Sequence, residues 1–290
     1  MDYFLHILIL CFIYFIAVYA VDLLAGRSGL LSIANAAFYG IGAYTSALLA
    51  VHWGWPFLLT APASMIVAAM ASLMVSLPSL RLKGDYFVIA TFAFQMILFS
   101  IFNNWMDLTR GPLGVPGIPQ PNIFGWKVSS NLEFSILAGG FAVFAYTVVG
   151  LIVTSPFGRV LHAIREDEVF ATGCGKSTLR YKVIAFAISS ALAAMAGALY
   201  AHYITYIDPT SFTVMESILV LSMVIIGGAG SMWGPLVGAV VLVTLPEALR
   251  FVGLPAAAAA NLRQIIYGAL LVVMMMARPQ GLVGRYAIGR

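Results

Sequence analysis

Gly175, Lys176, Ser177 and Thr178 lie in the stretch ATGCGKSTLR (residues 171–180) and repeat the tail of a phosphate-binding loop. The complete motif places a glycine five positions ahead of the one that precedes lysine, because several successive backbone N–H groups must curl around the phosphates. That position is Phe170. The motif must also follow a buried strand and open a helix, whereas GRVLHAIREDEVF (158–170) is charged and reads as an amphipathic helix. Both requirements fail. The segment instead sets three consecutive acids, Glu166, Asp167 and Glu168, before small residues and glycines and then Lys176, Arg180 and Lys182. Folded as a short helix, a turn and a second helix, Arg165 to Lys182 would offer acids near one N-terminus and a small-residue surface able to enter a groove on a partner.

Other groups capable of chemistry sit in or near long apolar runs: Asp22, Asn35, Gln95, Glu133, Glu216 and Glu247. An ionisable group at membrane depth is a functional candidate by default. The four acids lie near the ends of the runs, where helix termini and interhelical pairing account for them, and no two have the spacing of a proton or sodium relay. Asn35 and Gln95 are neutral groups that can hold a passing substrate or join two helices. His6, His52, His162 and His202 are scattered without a second ligand at metal spacing. Cys11 and Cys174 make neither a disulfide framework nor a zinc site. The sequence therefore predicts no metal and no cofactor.

The elements that must position these residues follow from composition. With 62% hydrophobic and 9% charged residues, the 290-residue chain cannot cover a water-soluble core. Long apolar runs divided by short polar breaks predict an all-α polytopic membrane protein, since open strands or loops in lipid would leave backbone groups unpaired. At about 20 residues per crossing, the candidate spans are 3–24, 29–51, 57–77, 85–103, 131–153, 183–203, 214–229, 234–251 and 262–277. Allowing for ambiguous segments, this gives about eight to ten transmembrane helices. Two are interrupted: 29–51 carries Ser32, Asn35, Gly40 and Gly42, and 214–251 is broken by GGAGSMWGP (227–235). Such breaks need burial in protein or a cavity to line; together with the polar mid-span Gln95, this makes Asn35, Tyr44, Gly227, Gly228 and Gly230 the candidate substrate path.

The net charge of +4 comes from basic residues in short loops, so topology explains it and nucleic acid is not an expected partner. With residues 155–182 cytoplasmic, eleven of the fifteen Lys and Arg are inside: Arg27, Arg81, Lys83, Arg159, Arg165, Lys176, Arg180, Lys182, Arg278, Arg285 and Arg290. Arg110, Lys127, Arg250 and Arg263 are left outside. The expectation is an N-terminus outside, a C-terminus inside and an odd number of spans. The N-terminal run lacks a basic start and a small-residue cleavage pattern, so it reads as a retained span in contact with lipid. One transmembrane domain, 1–290, carries a cytoplasmic loop at 155–182 and a Gly- and Pro-rich external loop at 104–130, long enough for a compact lid. PAAAAA (255–260) reads as a short helix at the opposite face or a spacer.

At the cytoplasmic loop the sequence resembles a known family. SPFGRVLHAIREDEVFATGCGKSTLRYKVIAFAISSALAAMAGALYA (155–201) is similar to the coupling segment and following helix of the LivM-type permeases of branched-chain amino-acid ABC transporters. SGLLSIANAAFYGIGAYTSALL (28–49), GDYFVIATFAF (84–94), LTRGPLGVPGIP (108–119), ESILVLSMVIIGGAGSMWGPLVGAVVLVTLPEALR (216–250) and RPQGLVG (278–284) resemble further blocks in family order. Arg110 stands where the family usually has a glycine, and Lys176 where it has an apolar residue. The resemblance implies an importer subunit that is not itself an enzyme and sits in the cytoplasmic or inner membrane. Its implied partners are a second homologous permease, two cytoplasmic ATP-binding subunits and a periplasmic or surface substrate-binding protein. It also implies that Glu166, Asp167, Glu168, Gly175, Arg180 and Lys182, within the segment from Arg165, couple to the ATPases, with Gly175 as the coupling-loop glycine.

Two other classes compete. An ion-coupled secondary carrier for small amino acids or amides would need an intramembrane ion site, against which the lack of paired mid-span acids speaks. A membrane-embedded enzyme would need a nucleophilic or metal constellation, and the sequence offers none.

Overall fold

The computed structural model describes residues 2–80, 82, 84–123, 126–128, 130–250, 256–278 and 280–283. Arg81, Lys83, Pro255, Gly284, Arg285 and Arg290 lie outside the described residues, as do the side chains of Lys127, Glu247, Arg250 and Arg263. The chain is all-α apart from short bridges. Its helices are α1 (Asp2–Ala25), α2 (Asn35–Trp53), α3 (Phe57–Ser79), α4 (Asp85–Asn104), α5 (Met106–Thr109), α6 (Asn131–Thr154), α7 (Pro156–Glu166), α8 (Glu168–Gly173), α9 (Thr178–Ile204), α10 (Val214–Gly227), α11 (Gly234–Arg250) and α12 (Ala256–Ala277). Among the described residues, α1, α3, α4, α6 and α9 are long and apolar enough to cross a membrane.

Burial sorts these helices into a centre and a periphery. α1 and α9 are mostly buried, whereas α4 buries only Phe87, Thr91, Gln95 and Phe102 and presents Tyr86, Ile89 and Ile97 outward. α2 and α9 pack closest, and glycines make this possible. A Cβ at Gly42 would run into the Ala194 backbone, and one at Gly197 into the Tyr39 carbonyl. In lipid, where apolar surface gives no drive to associate, such backbone approach is a main source of helix attraction. Gly197→Val is therefore expected to separate α2 from α9 at a cost of about 1–3 kcal/mol, as for other overpacked cores. Thermal denaturation in detergent checks this; an unchanged midpoint would show that the contact is not tight.

Four features differ from the sequence expectation. The second span begins at Asn35, not at residue 29, because the preceding backbone is irregular and held by side chains from distant helices. Thr91 Oγ1 accepts from the Ile33 N–H at 3.2 Å, Ser217 Oγ from Ala36 at 2.8 Å and Gln95 Oε1 from Ala37 at 2.6 Å. These bonds replace a local cap, which Ala34 cannot provide. The amphipathic run 158–170 is two helices broken at Asp167. α9 starts at Thr178, so the last five residues of the 155–182 loop are already helical. In the PAAAAA stretch, residues 256–260 open α12 instead of forming a separate element.

The bundle has two ends. At one, the 104–130 loop pairs β1 (Val115–Pro116) antiparallel with β4 (Tyr206–Ile207), and β2 (Asn122–Ile123) with β3 (Trp126–Lys127). His202 pins this loop: its Nδ1 bonds the Pro119 carbonyl at 2.7 Å and its Nε2 meets Ser46 Oγ at 2.9 Å. At the other end lie the 26–34 lead-in, the α3–α4 turn, α7 and α8, the α10–α11 turn and residues 280–283. Leu282 and Val283 N–H bond the Ile226 and Gly227 carbonyls at 2.8 and 3.0 Å.

Candidate functional site

The loop after α6 is built to stand out from the bundle. Ser155 caps α7 by accepting from the Gly158 N–H at 3.3 Å, with Pro156 at the first helical position, where its missing N–H costs nothing. α7 buries Leu161 and Ile164, one side of an amphipathic turn. Asp167 then ends α7 and starts α8: its Oδ1 accepts from Val169 and Phe170 N–H at 2.8 and 2.9 Å. A mid-run acid thus serves as an N-cap.

The other end of α8 lacks the form of a phosphate-binding loop. The N–H groups of Cys174, Gly175 and Lys176 bond the Phe170, Thr172 and Ala171 carbonyls at 3.0, 2.9 and 3.2 Å. They terminate α8, with Gly175 in the left-handed region at φ 76°. The donors that would cradle a phosphate are engaged, and the element before them is a helix.

Beside the stacking of Phe157 on Tyr181, two polar side chains help tie this outwork to the bundle. Lys182, buried near the start of α9, places Nζ 2.7 Å from Glu168 Oε1 on α8. Arg165, at the end of α7, donates from Nη1 to the Gly26 carbonyl just past α1. Glu166, Gly175 and Arg180 are exposed, and a Cβ at Gly175 would meet nothing within 4 Å. Between this outwork, residues 28–31 and residues 80, 82 and 84–88 lies a cleft of about 800 Å³ that Arg165, Glu168, Lys182 and Asp85 help to line. Sequence reasoning missed Val169 and Phe170, which are 78% and 69% exposed at the tip of α8. An apolar pair inside a charged loop is the signal that could have found them, because large exposed apolar groups mark interaction surfaces.

The six residues considered for a substrate path fall into two groups. Gln95 is fully buried; its Oε1 accepts from Ala37 and its Nε2 donates to the Phe212 carbonyl at 2.9 Å. Tyr44 stacks on Phe102 with centroids 4.7 Å apart and also touches Phe212, so it shares that neighbourhood. Its hydroxyl is buried without a hydrogen-bond partner among the described residues. Asn35 opens α2 instead of lying in mid-span, and borders a water-sized void with Ser32, Ser189 and Ser190. Gly227, Gly228 and Gly230 instead form the turn of an antiparallel α10–α11 hairpin at the end of the bundle that carries Arg165.

Three acids of the apolar runs have protein partners. Glu216 accepts from the Tyr14 hydroxyl at 2.6 Å, Glu133 completes a capping box with Ser130, and Asp22 faces Arg27 and the Gly230 N–H. Among the described residues no three His, Cys, Asp or Glu side chains gather as metal ligands.

Comparison with known proteins agrees with this architecture. The family described as the permease component of branched-chain amino acid transport systems matches residues 3–275. The high-affinity branched-chain amino acid transport system permease protein LivM of Salmonella typhimurium is 35% identical over 93% of this chain and 68% of its own length. LivM of Escherichia coli K12 is 35% identical over 94% of this chain and 68% of its own. The high-affinity branched-chain amino acid transport system permease protein LivH of E. coli K12 is 25% identical over 90% of this chain and 87% of its own length. No solved structure matches the chain significantly. A match along nearly the whole chain, on a helical bundle with this loop and hairpin, places the protein in the family of branched-chain amino-acid transport permeases.

Proposed function

We propose that this chain is the membrane-spanning permease subunit of an ATP-driven importer of branched-chain or related amino acids in the cytoplasmic membrane. It works beside a second homologous permease, two cytoplasmic ATPases and an external substrate-binding protein. The observation that carries the reading is the outwork at 155–177: two capped helices with an exposed apolar tip, braced to the bundle by Arg165 and Lys182. A permease without nucleotide chemistry needs such a surface to receive force from an ATPase. The pairing of this chain's likeness to both LivM and LivH supports a two-permease core.

In this account the N-terminus is outside, the C-terminus is cytoplasmic, and nine helices cross or enter the bilayer. α10, at about 21 Å by the helical rise, is too short to span alone. The face bearing Arg27, Arg159, Arg165, Lys176 and Arg180 is cytoplasmic, as the bias of basic residues requires. Docking involves Glu166, Asp167, Val169, Phe170, Gly175 and Arg180, while Glu168 and Lys182 hold α8 on α9. ATP-driven closure of the ATPase dimer displaces this outwork and favours the outward-open arrangement. Inverting a 1:99 equilibrium takes about 5.5 kcal/mol, within reach of one such closure. Asn35, Tyr44 and Gln95 border the substrate path, and Gly227, Gly228 and Gly230 form the hinge beside it. A carrier driven by an ion gradient would need carboxylates open to the path, whereas Asp22 and Glu216 are bound within the protein.

Charge reversal at the rim of the docking face provides the test. Glu166→Arg is expected to lower uptake of labelled leucine about tenfold or more, as loss of a rim charge and gain of a repulsive one do at other interfaces. The side chain is exposed, so abundance in the membrane should not change. Normal uptake by Glu166→Arg would remove Glu166 from the docking face.

A further inference from the structure

α1 ends in a charged group that neither the substrate path nor the docking face uses. Asp22 is fully buried, one turn before Ala25, and its Oδ1 accepts from the Gly230 N–H at 2.6 Å. Its Oδ2 stands 3.5 Å from Arg27 Nε. Among the described residues that oxygen has no hydrogen-bond partner, and neither do Arg27 Nε and Nη2. Burying two charges carries a desolvation penalty that only well-made bonds offset. Here the pair is half made.

Three parts of the chain meet at this pair. Arg165 of α7 donates to the Gly26 carbonyl, and its side chain runs along Gly29, where an added Cβ would lie 3.1 Å from its Cγ. At Gly230 a Cβ would lie 2.8 Å from the Gly26 carbonyl oxygen and 3.0 Å from Arg165 Nη1. At Gly26 it would strike the Asp22 carboxylate and the Gly230 N–H. The end of α1 and the α10–α11 turn thus meet backbone to backbone at Gly26 and Gly230, and α7 reaches both through the Arg165 side chain. Packed contacts of this kind switch between discrete arrangements and do not deform smoothly.

We propose that Asp22 and Arg27 are positioning residues of a relay that converts displacement of α7 into movement of the α10–α11 hairpin. Arg165 carries the displacement to the Gly26 carbonyl, and Asp22, holding the Gly230 N–H, carries it to the hairpin. Arg27 holds Asp22 at long range in the present arrangement and closes on it when α7 moves. Coupling needs an element with two arrangements that both sites bias, and the half-made pair is that element. The inference rests on reading 155–182 as the segment that docks the ATPases.

The test uses the whole transporter in lipid nanodiscs and proteoliposomes: this chain, its partner permease, both ATPases and the loaded binding protein. The readout is substrate moved per ATP hydrolysed, with the stimulation of hydrolysis by the binding protein measured alongside. Asp22→Asn and Arg27→Gln are each expected to assemble and keep basal hydrolysis, while transport per ATP falls about tenfold. The double variant should fall no further, because the two residues act as one unit. A wild-type ratio in both single variants overturns the relay, and so does loss of transport only in proportion to lost assembly. If Asp22→Asn does not assemble, Arg27→Gln decides on the same ratio, since its side chain is partly exposed. ATP-driven uptake by the wild type with unaffected variants rejects the relay alone. Wild-type uptake that ignores ATP rejects the importer reading and the relay with it.

Discussion

Gly175→Trp is expected to reduce ATP-driven uptake about a hundredfold, the scale of a hot-spot loss at a protein interface, while the chain stays folded and inserted. Gly175 is exposed, and a Cβ there meets nothing within 4 Å, so the indole has no internal contact to disrupt. The left-handed φ of 76° adds a local cost of about 1–2 kcal/mol for any L side chain. That cost falls on the end of α8, a short helix whose first turn carries Val169 and Phe170. Both effects act on the docking surface and leave the bundle intact. Labelled-leucine uptake, set beside membrane abundance and thermal denaturation, separates the cases. Undiminished uptake would show that the tip of this loop touches no partner.

The second large effect is on stability. Gln95→Leu keeps much of the side-chain volume but leaves the Ala37 N–H and the Phe212 carbonyl without their partner in a buried setting. At about 1–3 kcal/mol for each orphaned group, the expected loss is about 2–6 kcal/mol. Interhelical side-chain pairs in membranes average less than this, yet here both partners are backbone groups that cannot turn elsewhere. α4 buries three other side chains, so release of Gln95 should loosen the helix as a unit. A marked fall in the detergent denaturation midpoint is expected, with a smaller fall for Gln95→Glu, which keeps the acceptor for Ala37. Equal midpoints for Gln95→Leu and wild type would contradict the bracing role.

Much of this architecture was legible in the sequence because span length and apolarity are local properties. Each of the nine apolar segments falls on a helix, and the Gly-rich interruption at 227–235 contains the break between α10, which ends at Gly227, and α11, which starts at Gly234. What was not legible depends on partners distant in the chain. Nothing near Asn35 announces the start of α2, since its caps come from Gln95 and Ser217. Asp167 in the run Glu166-Asp167-Glu168 looks like one more solvated acid until its carboxylate is seen under α8. The Glu168–Lys182 pair spans two helices and a turn, beyond the reach of any spacing rule. Asp22 reads as a helix-end acid, and it is one; its bond to Gly230 joins residues 208 positions apart.

The measurement closest to the central claim is labelled-leucine uptake into proteoliposomes, with and without ATP on the ATPase side and with and without an uncoupler. One set holds this chain alone, and the other holds it assembled with the second permease, the ATPases and the binding protein. The expected result is uptake only in the assembled set, abolished by removing ATP and indifferent to the uncoupler. Uptake by the chain alone that collapses with the uncoupler and persists without ATP would contradict it.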